Sequence, residues 1–328
     1  MTFLRCLLWL ATATTLGVMA ACGTESTDGR RVVRLGHFAN VTHAHGLLGH
    51  HGTRHGDGVF ERHLGPDVKV EWYVFHAGPT AMEALLWGSL DATYVGPNPA
   101  LNAYSRSKGR EVRILAGATD GGAALVVRAG AGIEAPGDLR GRRIATPQFG
   151  NTQDVACRAW LRRQGFTVTQ TGGDVTVVPT ANPDQLVLFQ KGEIDAAWTV
   201  EPWVSRLVRE ANGRVLVEET DAMTTVLACS AKLLAERPEV ARQLVAAHRE
   251  LTAFLQQEPA AARQRVVDEL SALTRRPIPA ELIAAAWPRL RFTDVARREA
   301  LASFVEAARD AGLLATPPDL AGLLVVQP

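Results

Sequence analysis

Gly78-Pro79-Thr80-Ala81-Met82-Glu83-Ala84-Leu85-Leu86, then Asp91-Ala92-Thr93-Tyr94-Val95-Gly96, then Pro97-Asn98-Pro99 is the stretch that decides the fold. Proline one residue inside a run of good helix formers marks a helix start, and Gly88 follows its end. The β-branched and aromatic run 92–95 reads as a strand, and Pro97 opens the next helix. Upstream, Val32-Val33-Arg34-Leu35-Gly36 and Val68-Lys69-Val70-Glu71-Trp72-Tyr73-Val74 read as strands, with a weaker helical pattern from Thr42 to Leu64 between them. The grammar repeats downstream: strands at 124–128, 143–146, 175–178 and 194–198, with helices opening after Gly150-Asn151-Thr152 and at Asn182-Pro183-Asp184. Such alternation predicts an α/β fold with a parallel or mixed sheet covered by helices. After the strand-like runs 215–217 and 225–228 the pattern turns helical, with amphipathic segments Pro238 to Gln257, Pro279 to Trp287 and Asp294 to Ala311.

Length and composition narrow the function. The chain has 328 residues, 47% of them hydrophobic, enough for a packed core and for about two domains. Its 35 Lys and Arg are offset by 34 Asp and Glu, so the basic surplus that nucleic-acid binding requires is missing. Only four lysines occur (Lys69, Lys108, Lys191, Lys232), which leaves few candidates for Schiff-base chemistry. No Gly-x-Ser-x-Gly elbow, Walker loop or Gly-x-Gly-x-x-Gly is found, so hydrolase, NTPase and dinucleotide readings lack their parts.

The amino terminus reads as an address. Cys6 to Ala21 is apolar or small, follows Arg5, and falls short of the about 20 residues of a bilayer span, which suits a signal peptide over residues 1–21. Val18-Met19-Ala20-Ala21-Cys22-Gly23 resembles a bacterial lipobox, which implies a lipid on Cys22 and a tether over 22–30. Cys157 and Cys229 then remain, each in an apolar context that suits a small core residue better than a disulfide.

The candidate ligand groups lie at the turns. Gly78-Pro79-Thr80, Gly96-Pro97-Asn98, Gly150-Asn151-Thr152 and Asn182-Pro183-Asp184 each end at a helix N-terminus, whose unpaired N–H groups and partial positive charge attract an anion. Each one alone is equally an ordinary cap. Glu201-Pro202-Trp203, close after Trp198, offers either an acidic ligand contact or a capping glutamate. Seven of nine histidines crowd between His37 and His63; a polar, histidine-rich surface is expected there, with a zinc site through His43, His45, His51 and His55 as the alternative.

Val70-Glu71-Trp72, His76 to Thr80, Glu83-Ala84-Leu85, Gly88 to Asp91 and Gly96 to Pro99 resemble the first lobe of nitrate/sulfonate/taurine-type solute-binding proteins of ABC importers. Asp138 to Ala145 and Lys191-Gly192-Glu193-Ile194-Asp195-Ala196-Ala197-Trp198 through Trp203 extend the resemblance. It implies a two-lobe, type 2 periplasmic-binding-protein (Venus flytrap) fold with a helical C-terminal segment, residues 31–122 plus 225–328 forming one lobe and 123–224 the other. The implied ligand residues are His37, Asn40, Gly78, Pro79, Thr80, Gly96, Pro97, Asn98, Gly121, Gly122, Asn151, Thr152, Gln153, Trp198, Glu201 and Trp203. Glu201 would favour a tail such as taurine's amine. The resemblance further implies a monomer outside the cytoplasmic membrane, an ABC permease and its ATPase as partners, no cofactor and no catalysis. Alkanesulfonate, taurine, nitrate and a thiamine-precursor pyrimidine all stay open as ligands. An enzyme of pyrimidine synthesis shares the fold, but its cysteine-rich run and cofactor lysine are not seen here.

Overall fold

Every strand of the computed structural model joins one of two sheets; the model describes residues 29–314 and 316–325. The expected signal peptide, most of the tether and Cys22 lie outside these residues. The strands are β1 (Arg31–Phe38), β2 (Val68–Phe75), β3 (Ala92–Val95), β4 (Val112–Gly121), β5 (Ala123–Arg128), β6 (Arg143–Thr146), β7 (Thr176–Pro179), β8 (Ala196–Val200), β9 (Gly213–Glu219), β10 (Met223–Ser230) and β11 (Leu290–Phe292). One sheet has the order β11-β4-β10-β3-β1-β2 and the other β7-β6-β8-β5-β9. In each, three parallel strands carry an antiparallel neighbour: β10 beside β3, and β5 beside β8.

The parallel strands explain the sequence pattern. Leu35, Ala92, Tyr94, Val95, Ile144, Ala145, Ala197 and Trp198 are buried because helices cover both faces of each sheet. A parallel connection needs a crossover, and these crossovers are helices that begin at the carboxyl ends of strands. Their N-termini therefore gather at one edge of each sheet.

The chain crosses between the sheets at Gly121–Gly122 and returns across 220–222. Both glycines have φ of +75°, and a Cβ on Gly121 would sit 2.4 Å from the Arg289 carbonyl oxygen, so the first crossing has no room for a side chain there. Charges brace it. Arg291 donates to Asp120 (2.8 Å) and Asp221 (3.0 Å), and Arg297 reaches the same Asp120 oxygen at 3.1 Å.

Several elements go beyond the sequence reading, among them helix Ala231–Glu236 and β11. Helix Pro259–Thr274 packs on the 44–55 segment, and β4 runs ten residues between β11 and β10 in the first sheet. Cys157 and Cys229 are free, buried, and sit in the cores of different sheets, where burial raises both thiols, Cys229 to about 12. Among the described residues no helix is long and apolar enough to cross a membrane.

Candidate functional site

Five helices point their N-termini at one small cavity, of about 30 Å³, between the two sheets. From the first sheet come helices Ala44–His55, Gly78–Leu86 and Pro97–Arg106, represented on the wall by His43, by Ala77 and Gly78, and by Gly96. From the second come Thr152–Arg163, represented by Asn151, Thr152 and Gln153, and Asn182–Gln190, represented by Asn182. Asn40, Thr42, His76 and Thr224 add polar groups. No Asp, Glu, Lys or Arg is among these lining residues. Positive charge therefore comes from backbone dipoles, each about half an elementary charge.

The two lobes touch here. A Cβ on Gly96 would lie 2.2 Å from Thr152 Oγ1, so glycine is what lets the first helix end approach the second lobe. Thr152 is 4% exposed, and its hydroxyl has no hydrogen-bond partner among the described residues. A buried hydroxyl without a partner costs free energy that a ligand oxygen would recover.

A buried ion pair holds Thr152 in place. Asp154 accepts from Arg158 Nε (3.0 Å), Thr146 Oγ1 (2.8 Å) and Gly150 N (3.0 Å), while Arg158 reaches back to the Thr169 carbonyl at 2.7 Å. Strand end, turn and helix start are thereby one rigid unit. Asn151 is its cap: Oδ1 accepts from Asp154 N at 2.8 Å, and the side-chain amide donates to Gln153 Oε1 at 3.3 Å.

Other expected ligand residues lie elsewhere. Thr80 is exposed and donates to the Ala77 carbonyl at 2.9 Å; neither it nor Pro79 lines the cavity. Asn98 is buried and Pro97 lies behind the wall, where Pro99 takes the lining position. Gly121 and Gly122 form the crossing. Trp198 is 1% exposed in the second core, donating to Glu219 at 3.2 Å, because an inward position on β8 faces the covering helices.

Glu201 departs furthest from its expected place at the ligand. It is wholly buried and accepts from Ser205 N (3.0 Å), Ser205 Oγ (2.9 Å) and Arg289 Nη1 (3.2 Å), so its carboxylate clamps the second lobe to a residue just before β11. Trp203 sits further out, donating to Asn40 Oδ1 across the lobes at 3.1 Å.

Only part of the histidine stretch is a polar surface: His55 is exposed and His50 and His63 are half-buried. His37 on β1, His43 at the cap of helix Ala44–His55, and His45 and His51 on that helix are buried. His37 Nε2 lies 3.0 Å from His50 Nδ1, His45 bonds Thr252 at 2.9 Å and stacks on His248, and His51 stacks on His55. Among the described residues no three His, Cys, Asp or Glu side chains are placed to hold a metal. His43 does reach the cavity, stacked on Phe38 at 4.2 Å and kept neutral by burial. The histidine pattern marks His43 as a metal candidate and not as a cavity residue, and nothing in the pattern points to Thr42 or Thr224.

Two mixed sheets of matching strand order, joined by two crossings and enclosing a cavity at the strand ends, define the periplasmic-binding-protein fold. The chain belongs to the NMT1-like family, whose model matches residues 27–271. It is 32% identical over 162 residues to the taurine-binding periplasmic protein of Escherichia coli, covering 49% of this chain and 47% of that protein. A putative aliphatic sulfonates-binding protein of the same bacterium is 27% identical over 161 residues, 49% of each chain. The chain thus spans about half the length of these curated relatives. In structure it is similar to the alkanesulfonate-binding protein SsuA from Xanthomonas axonopodis pv. citri bound to MOPS, with a TM-score of 0.73 at 19% identity over 90% of this chain and 98% of that one.

Proposed function

We propose that this protein captures a small oxyanion, of the sulfonate class, between its lobes and delivers it to an ABC permease. The observation that carries this reading is the convergence of five helix N-termini on one cavity without a lining carboxylate. Backbone N–H groups and the Thr152 hydroxyl suit the oxygens of a sulfonate, and the similarity to taurine- and sulfonate-named proteins agrees. Three or four hydrogen bonds to a charged group, each about 1.5–3 kcal/mol net, reach micromolar affinity after association costs. Calorimetric titration of the protein with ethanesulfonate, taurine, nitrate and zinc tests it. Saturable binding of a sulfonate at one site per chain is expected; zinc as the one binder, or no oxyanion bound, would overturn the reading.

We further propose that the protein is held at the outer face of the cytoplasmic membrane by lipid on Cys22, on the strength of the Ala20-Ala21-Cys22 context. Cys22→Ala should release it from the membrane fraction. Unchanged retention counts against the anchor.

A further inference from the structure

The end of the first lobe opposite the cavity carries a surface that oxyanion capture does not use. β1, β3 and β4 run parallel, so all three begin at this end and the antiparallel β10 finishes there. Helices Gly78–Leu86 and Pro97–Arg106, which start at the cavity, also finish there. Hydrogen bonds lace the loops into one row. Ala231 N donates to the Glu111 carbonyl (2.8 Å), Ser230 N to the Asp91 carbonyl (3.1 Å) and Arg31 N to the Asp67 carbonyl (3.0 Å). With β10 and β3 between them, the starts of β4 and β1 lie roughly 15 Å apart in that row.

Its charge is uneven. Segments 29–31, 65–67, 87–91, 106–111 and 230–237 hold seven Arg and Lys against four Asp and Glu, in a chain whose net charge is +1. Two of the four acids are already paired, Asp91 with Arg34 at 3.1 Å and with Arg237, and Glu236 with Lys232 at 3.9 Å. Arg31, Arg106, Lys108 and Arg110 are exposed, and no carboxylate among the described residues pairs with them. In the same row Trp87, the C-cap of helix Gly78–Leu86, is 86% exposed. An indole beside unpaired basic side chains suits the surface of an anionic bilayer, where the ring settles at headgroup level and each Lys or Arg is drawn to lipid phosphate. The path of the chain leads to the same face. β1 begins at Arg31, and the nine residues 22–30 span no more than about 30 Å, so a lipid on Cys22 keeps this end beside the membrane.

We infer that this face lies on the anionic headgroups of the membrane, with Trp87 in the interface and the cavity turned outward to the medium. The orientation rests on the Cys22 anchor, but the test does not use the lipid. The face orients the protein and is too weak to hold it alone, so release of Cys22→Ala from the membrane fraction is still expected. The released Cys22→Ala protein is mixed with vesicles of phosphatidylcholine, or of phosphatidylcholine and phosphatidylglycerol in equal parts, and sedimented. Binding to the phosphatidylglycerol vesicles at low salt is expected, falling as salt rises, with none to phosphatidylcholine alone. Lys108→Glu with Arg110→Glu should weaken that binding at least tenfold. Lys191→Glu with Arg209→Glu, the same change of net charge at exposed sites of the second lobe, should leave it within twofold. A blue shift of tryptophan emission on binding should be lost in Trp87→Phe. Equal binding to both kinds of vesicle, none to either, or equal weakening by the two charge-reversed pairs overturns the membrane face while leaving the anchor and the oxyanion site standing. Self-association that depends on Trp87, without vesicle binding, would overturn it in favour of a second copy of the chain.

Discussion

Acidifying the protein from pH 7 to pH 5 should lower its melting temperature sharply, because folding buries a set of neutral histidines. Burial holds His37 down to about 3 and His248 to about 4, from an ordinary value of 6.5, and pushes His43 and His45 well below it. Each such ring binds its proton in the unfolded chain before it does so in the folded one. Its stabilising effect is thus complete above pH 6.5 and is lost as the pH falls toward the folded value. At about 1.4 kcal/mol per pH unit, His37 and His248 each give up about 2 kcal/mol by pH 5. That is a large share of the roughly 5–15 kcal/mol that holds a typical domain together. Glu201, Glu219 and Glu269 work the other way, since burial raises their carboxyls and protonation then favours the folded state. Their window runs upward from 4.5 and overlaps that of the histidines, so they offset part of the loss between pH 6.5 and 5. Scanning calorimetry at the two pH values checks this; an equal or higher melting temperature at pH 5 would mean the rings are not buried as described.

Thr152→Val should weaken sulfonate binding by at least tenfold, about 1.4 kcal/mol, while leaving the unliganded protein's melting temperature within a degree or two. Valine preserves the shape, and the hydroxyl it removes makes no bond within the protein. Asn151→Ala should behave in the opposite sense. Its side chain caps helix Thr152–Arg163, so its loss should cost about 1 kcal/mol of stability. Calorimetric affinity and thermal unfolding of both variants separate the roles. Normal binding by Thr152→Val would remove the hydroxyl from the site.

The alternating grammar from Gly78 to Pro99 was enough to read the fold class, since parallel strands buried on both faces and proline-led helices leave local marks. The turns were legible for the same reason: Gly78, Gly96 and Asn151 punctuate the chain where helices start. What those marks cannot carry is direction over distance. Glu201 looked like a ligand contact because it follows a strand end. Its partner Arg289 is 88 residues away, and only the folded chain brings the two together. Thr80 and Thr152 sit alike after a turn, yet one faces solvent and the other faces Gly96 of the opposite lobe. The histidines invited a surface reading through their polarity; the burial of His45 depends on Thr252 and His248, which reach it from more than 200 residues away in the chain.

The most direct test of the central claim is a crystal structure of the protein grown with a short alkanesulfonate. The sulfonate oxygens should lie within hydrogen-bond distance of Thr152 Oγ1 and of backbone N–H groups at Gly78 and Gln153, inside the cavity between the lobes. A sulfonate found outside that cavity, or held there by arginine side chains rather than helix N-termini, would contradict the account.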